Sequence, residues 1–178
     1  PVERLADTPR IVYVGRLSPR KGPDLLVTAA EQLAREGLDV DVDLVGDVFT
    51  GYEDFEQSLR ARAETAARPG SIRLLGFQPS VWGFLAAADI AVVPSRADEP
   101  FGNTAVEAIL AARPLIVSDT SGLREATAGF DSAVTVAPDD SSALAAAIRR
   151  IIEDWATYRA FAIDDAPKAA ERFATDAY

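Results

Sequence analysis

Apolar, β-branched runs alternate with helical patterns along the whole chain. Arg10 to Gly15 (RIVYVG) predicts a buried strand. After a turn containing Gly and Pro, Leu25, Leu26, Ala29, Ala30 and Leu33 recur at helical spacing. Leu38 to Gly46 alternates Val with Asp and predicts a half-buried strand ending in a glycine turn. Glu53 to Ala67 reads as a charged, Ala-rich helix, Ser71 to Leu75 as a short strand and Val81 to Ala88 as a short helix. The DIAVV run, Asp89 to Val93, is a further buried strand. Pro94 to Gly102 is a loop rich in Pro, Gly and charge.

The second half keeps the rhythm. Asn103 to Ala112 is helical, PLIV at 114–117 is a strand, a short helix covers Leu123 to Thr127, and Ala133 to Val136 is the last strand. Asp139 and Ser141 are N-cap candidates for a helix over Ser142 to Ile152. A final helix runs from Trp155 to about Ala174, with an interruption expected near Pro167. A βαβαβα order implies a parallel sheet with helices on both faces, the Rossmann-like α/β architecture. No repeat, low-complexity tract or internal linker divides residues 1–178, so one domain is expected. The chain starts at Pro1 and reads as a piece of a longer protein.

Composition narrows the chemistry. With 178 residues and 48% hydrophobic content, a large core is available. The net charge of −10 disfavours long-range attraction to nucleic acid or an anionic membrane, although a local cationic pocket survives because surface fields are screened within about 8 Å. The chain has no Cys, His or Met. That removes disulfides, thiolate or imidazole metal sites, Cys nucleophiles and a His general base. No apolar run reaches the roughly 18 residues of a membrane span, and no signal-peptide pattern is present.

In an open parallel sheet, ligands bind beyond the carboxyl ends of the strands. Two turns there carry chemistry. Gly15-Arg16-Leu17-Ser18-Pro19-Arg20-Lys21-Gly22 delivers cations into a tight turn that opens a helix. Arg16 can fork onto two phosphate oxygens and Lys21 adds a point charge. The strand, the flanking glycines and the overall acidity favour an anion site over a solvated loop. The second turn is Asp98-Glu99-Pro100-Phe101-Gly102-Asn103-Thr104-Ala105-Val106-Glu107. Amides of Gly102, Asn103 and Thr104 lie at a helix N-terminus that attracts anions, and Gly102 permits close backbone approach. Glu107 lies one turn further and can accept two hydrogen bonds from a vicinal diol. Taken singly, Glu99 reads as an electrostatic cap and Glu107 as part of the helix's wet face.

Together these segments resemble the C-terminal, donor-binding domain of a retaining glycosyltransferase of family 4 (group 1), GT-B fold. The resemblance rests on GRLSPRKG (15–22) and on the E-x7-E segment EPFGNTAVE, Glu99 to Glu107. LVGD (44–47), IRLLGF (72–77), AADIAVVPS (87–95), ARPLIVSD (112–119) and GLRE (122–125) follow in the family's order. It implies that Arg16 and Lys21 bind the diphosphate of a nucleotide-sugar and stabilise it as leaving group. Glu99 would hold hydroxyls of the donor sugar, with amides of Phe101 and Gly102. Glu107 would bind the ribose diol, Asn103 and Thr104 would offer amides to sugar or phosphate, and Gly15 would belong to the same donor site. The base would rest near Gly76 and Phe77.

The resemblance further implies no resident metal and no other cofactor. The Asp39-Val40-Asp41-Val42-Asp43 run is accordingly read as one solvated strand face. Two cations and a helix N-terminus facing a departing diphosphate stabilise charge that develops in the transition state. The implied partners are the nucleotide-sugar and an N-terminal acceptor-binding domain of the same protein, in the cytoplasm, with no nucleic acid. The final helix is expected to be cut short after Tyr178. Ile109 and Leu110 replace a common Met-Ala pair, a matter of packing. A non-catalytic nucleotide-sugar-binding module and another GT-B-like enzyme, such as a sugar-nucleotide epimerase, are the alternatives. A dinucleotide oxidoreductase is disfavoured because no G-x-G-x-x-G follows a strand.

Overall fold

In a computed structural model of the chain, which describes residues 4–97 and 99–174, strands and helices alternate as the apolar periodicity requires. β1 (Arg10–Val14), α1 (Pro23–Arg35), β2 (Asp41–Val45), α2 (Glu53–Glu64) and β3 (Ile72–Leu74) form one half. α3 (Trp82–Ala87) leads to β4 (Ile90–Val93), α4 (Asn103–Leu110), β5 (Leu115–Ser118), α5 (Ser121–Thr127) and β6 (Ala133–Val136). α6 (Ser141–Glu153) and α7 (Trp155–Arg172) complete the chain. The predicted elements all form, with ends displaced by one to a few residues.

All strand pairs are parallel and the sheet order is β3-β2-β1-β4-β5-β6. The direction of winding reverses between β1 and β4, so the chains leaving these two strands diverge and open a crevice at their carboxyl ends. Side chains alternate across the sheet. Ile11, Tyr13, Leu44 and Val92 pack with α1 and α6 on one face, while Val12, Ala91 and Val117 pack with α3, α4 and α5 on the other. α7 contributes to both layers, through Tyr158 near its start and Ala169 near its end.

The expected solvated face of β2 is not found. β2 lies between β1 and β3, and Asp43 is only 4% exposed. Arg73, its partner in the parallel register, forks onto both carboxylate oxygens at 2.7 Å. Asp41 is paired with Arg68 and lies within 3.8 Å of Arg10, its partner on β1. From Asp41 onward the Val-Asp alternation therefore records ion pairs with Arg10, Arg68 and Arg73, not exposure, while Asp39, which precedes β2, is exposed.

The cap of α6 is also corrected. Asp140, not Asp139 or Ser141, is the N-cap, and its carboxylate accepts the Ala143 N–H at 2.8 Å. Asp139 adopts a left-handed φ of 59° and sends its carboxylate to Arg96, while Ser141 is already helical. The expected break at Pro167 is absent, and α7 runs through it. A proline costs a helix about 3 kcal/mol, but here the turns on either side are anchored. Buried Asp165 accepts the Ser132 N–H and the Lys168 ammonium, both at 2.8 Å, and Ala162 and Ala169 are fully buried. The expectation at Tyr178 lies outside the described residues.

Candidate functional site

The turn after β1 is shaped by its glycines and by Tyr13. Gly15 and Leu17 donate backbone N–H groups to Val45 and Asp47, both at 2.9 Å, so the exit of β1 follows that of β2. The buried Tyr13 hydroxyl donates to the Arg16 carbonyl at 2.6 Å. A single 3-10 turn, Pro19–Lys21, then closes on Gly22. Gly22 has φ of +68°, and a Cβ there would stand 2.2 Å from the Pro94 carbonyl oxygen. Only glycine lets this turn touch the chain leaving β4. Arg16 is exposed and lies over the Phe49 ring, 4.6 Å from its centroid.

The loop after β4 brings in the acid. Glu99 is 6% exposed. It accepts hydrogen bonds from the Lys21 ammonium at 2.7 and 2.6 Å and from the Ser95 hydroxyl at 2.5 Å. Burial alone would push this carboxyl up, yet the bonds from Lys21 and Ser95 hold it below its ordinary value. The Glu99 backbone is seated on α5, since a Cβ at Gly122 would fall 1.8 Å from the Glu99 carbonyl oxygen. Asp98 lies outside the described residues.

Gly102, with a left-handed φ of 83°, is the N-cap of α4 and provides no side-chain cap. Among the described residues, the N–H groups of Asn103 and Thr104 have no acceptor. They open onto a cavity of about 340 Å³ between the two turns. Gly15, Arg16, Lys21 and Glu99 line it, together with Phe101, Gly102, Asn103 and Thr104. Cations, a carboxylate and helix N-terminal amides thus converge on one space at the sheet's switch point, a combination suited to an anion that also carries hydroxyls.

Three predicted residues stand outside this cavity. Glu107 is half-buried one turn into α4, with no side-chain partner among the described residues. Burial pushes its carboxyl above the ordinary value. Gly76 and the strongly exposed Phe77 lie beyond β3. The Gly76 carbonyl accepts the Gly46 N–H at 2.9 Å, and a Cβ at Gly46 would stand 1.9 Å from the Gly15 carbonyl oxygen. Gly15, Gly46 and Gly76 therefore form a side-chain-free rim across the exits of β1, β2 and β3.

Tyr13, Ser95, Gly46 and Gly122 belong to the site or its immediate support but are not among the predicted residues. Gly46 carries the same signal as Gly15, a glycine closing a buried strand. Tyr13 gives no signal, because its ring follows the core pattern of β1. A second cavity, of about 330 Å³, lies at the opposite end of the sheet beside Ala30, Ala34 and Ile72. It shares no lining residue with the first cavity.

The family model described as glycosyl transferases group 1 matches residues 2–168. An alpha-D-kanosaminyltransferase of Streptomyces kanamyceticus is 26% identical over 97% of this chain and 44% of its own length. A D-inositol 3-phosphate glycosyltransferase of Geodermatophilus obscurus is 37% identical over 80% of the chain and 33% of its own length. Among solved structures, Anabaena HepE in complex with UDP-glucose superposes with a TM-score of 0.86 at 29% identity, covering 94% of this chain and 45% of HepE. The chain thus spans less than half the length of each of these relatives. Its six-stranded sheet is the Rossmann-like fold of GT-B glycosyltransferases, and by sequence and fold alike the chain belongs to the glycosyl transferases group 1 family.

Proposed function

We propose that this chain is the donor-binding domain of a retaining glycosyltransferase. The observation that carries the reading is the convergence of Arg16, Lys21, Glu99 and the free amides of α4 on one cavity at the switch point. In this reading Arg16 and Lys21 take the diphosphate of a nucleotide-sugar. Glu99, with the amides of Phe101 and Gly102, holds the sugar hydroxyls, and Asn103 and Thr104 add amides to sugar or phosphate. Glu107 takes the ribose diol. The base rests against the Gly15–Gly46–Gly76 rim and Phe77.

The bond from anomeric carbon to phosphate oxygen breaks as the acceptor oxygen bonds to the same face of that carbon. The acceptor's proton passes to the departing diphosphate. Negative charge grows on that diphosphate, where Arg16, Lys21 and the α4 N-terminus are already oriented. No metal or other cofactor is assigned a role. The acceptor is bound by an N-terminal domain of the same protein, and the reaction is placed in the cytoplasm. Among the described residues no helix is long and apolar enough to cross a membrane.

Calorimetric titration of the chain with UDP, GDP and ADP tests this reading. UDP is the first choice because HepE has been solved with UDP and with UDP-glucose. Saturable binding of one nucleotide, weakened in Glu107→Ala, is the expected result. Absence of binding at millimolar concentrations of all three, also in the full-length protein, would sink it.

A further inference from the structure

Arg96 lies three residues before Glu99 and does not line the cavity. Its guanidinium reaches back across the crevice and forks onto the carboxylate of Asp24, at 2.8 and 2.7 Å. It also donates to the Pro19 carbonyl at 2.7 Å and to the Asp139 carboxylate at 2.5 Å. The Arg96 backbone N–H donates to the Arg20 carbonyl at 2.8 Å. Pro19, Arg20 and Asp24 bracket Lys21 on both sides. One residue of the acid loop is therefore fastened to the chain immediately before and after the cation that meets Glu99, and Asp139 ties in the turn after β6.

We infer that Arg96 is a positioning residue, which fixes the turn carrying Lys21 against the loop carrying Glu99 and so sets how these two groups meet the ligand. The inference rests on the donor-site reading above for its functional consequence. The geometry calls for arginine: a planar fork can hold both oxygens of Asp24 while reaching Pro19 and Asp139, and a lysine ammonium cannot span these acceptors. Arg96 and Asp24 are each about one-quarter exposed, 27% and 26% at the side chain. What the contacts determine is the relative placement of two loops.

The chain has only two lysines, Lys21 and Lys168. Selective ¹⁵N labelling of lysine side chains therefore yields two Nζ signals, observable through the adjacent CH₂ group. Lys168, paired with Asp165 on α7, is the internal reference. In Arg96→Met and Arg96→Gln, the Lys21 signal should move toward its position in Glu99→Gln, while Lys168 stays in place. Asp24→Asn should move Lys21 in the same direction, and the double variant should add little. Affinity for UDP should fall about tenfold, the scale of one lost charge-assisted hydrogen bond, with uridine binding unchanged. A Lys21 signal unmoved in both Arg96 variants would overturn the positioning role. If neither the chain nor the full-length protein binds UDP, GDP or ADP, the donor reading fails, and the Lys21 signal still decides whether Arg96 positions the pair.

Discussion

The Lys21 ammonium lies 2.6 and 2.7 Å from the two carboxylate oxygens of Glu99. The family resemblance implies separate partners for these residues, a diphosphate and a sugar. The structure shows them as one partly buried unit, with Ser95 as its third member. The carboxylate offsets part of the lysine charge in the cleft and holds the ammonium in one orientation.

Removing either partner strands the other. Lys21→Met should lower UDP affinity by about tenfold or more, the equivalent of roughly 1.5–3 kcal/mol for hydrogen bonds to charged groups. Glu99→Gln should preserve nucleotide affinity better and lower sugar transfer by the full-length enzyme. Calorimetry and a transfer assay read the two effects separately. Loss of UDP binding in Glu99→Gln equal to that in Lys21→Met would contradict the division of roles.

Glu99 and Glu107 should respond to acid in opposite directions. The folded value of Glu99 is depressed, so its contribution to stability is present above the unfolded carboxylate value and is lost as pH falls through the folded value. For Glu107 the folded value is raised, so its ionisation opposes folding at neutral pH, and that penalty is relieved as pH falls through the folded value. In the donor reading, Glu107 takes the ribose diol in its ionised form. Binding of UDP-glucose, whose phosphates do not titrate in this range, should therefore weaken on acidification before the fold is lost. In Glu107→Gln the same titration should be flat between neutrality and the onset of unfolding. An identical pH profile in the two proteins would remove Glu107 from the binding site.

Gly122→Ala places a methyl group 1.8 Å from the Glu99 carbonyl oxygen. The acid loop must move, at a cost of about 1–3 kcal/mol of overpacking. At about 2–4 °C per kcal/mol for a chain of this size, a thermal melt resolves the change. Gly83 lies inside α3, where an added Cβ would meet nothing within 4 Å. It is the control, and Gly83→Ala should be neutral or stabilising. Equal melting temperatures for Gly122→Ala and the parent would rule out the tight seat.

Asp165 bridges α7 to the turn before β6 by accepting the Ser132 N–H. Asp165→Ala leaves that buried donor unpaired, an expected loss of about 1–3 kcal/mol. It should also release the Pro167 region of α7, visible as faster amide exchange there. Unchanged exchange would mean that the proline-containing turn is held by Ala162 and Ala169 alone.

Much of the fold is legible because buried strands and amphipathic helices have distinct periods, and the runs at 10–15, 89–93 and 114–117 are too apolar to be anything but interior. The turns at 15–22 and 99–107 are legible for a different reason: charge and glycine concentrate where the strands end. What escapes is pairing between distant segments. Nothing in the spacing of Asp41 and Asp43 distinguishes water from Arg68 and Arg73. Likewise the choice of Asp140 over Asp139 as cap depends on Arg96, which is 43 residues away from Asp139 and captures its carboxylate.

The glycine rim has an evolutionary implication. Gly15, Gly46 and Gly76 present peptide groups at the exits of β1, β2 and β3, and a side chain introduced at Gly46 would collide with the main chain beside it, whereas a Cβ at Gly76 would meet nothing within 4 Å. Gly46 is therefore the fixed point of this rim, and in the donor reading a change of ligand preference is written more readily in flanking residues such as Phe49 and Phe77 than at Gly46.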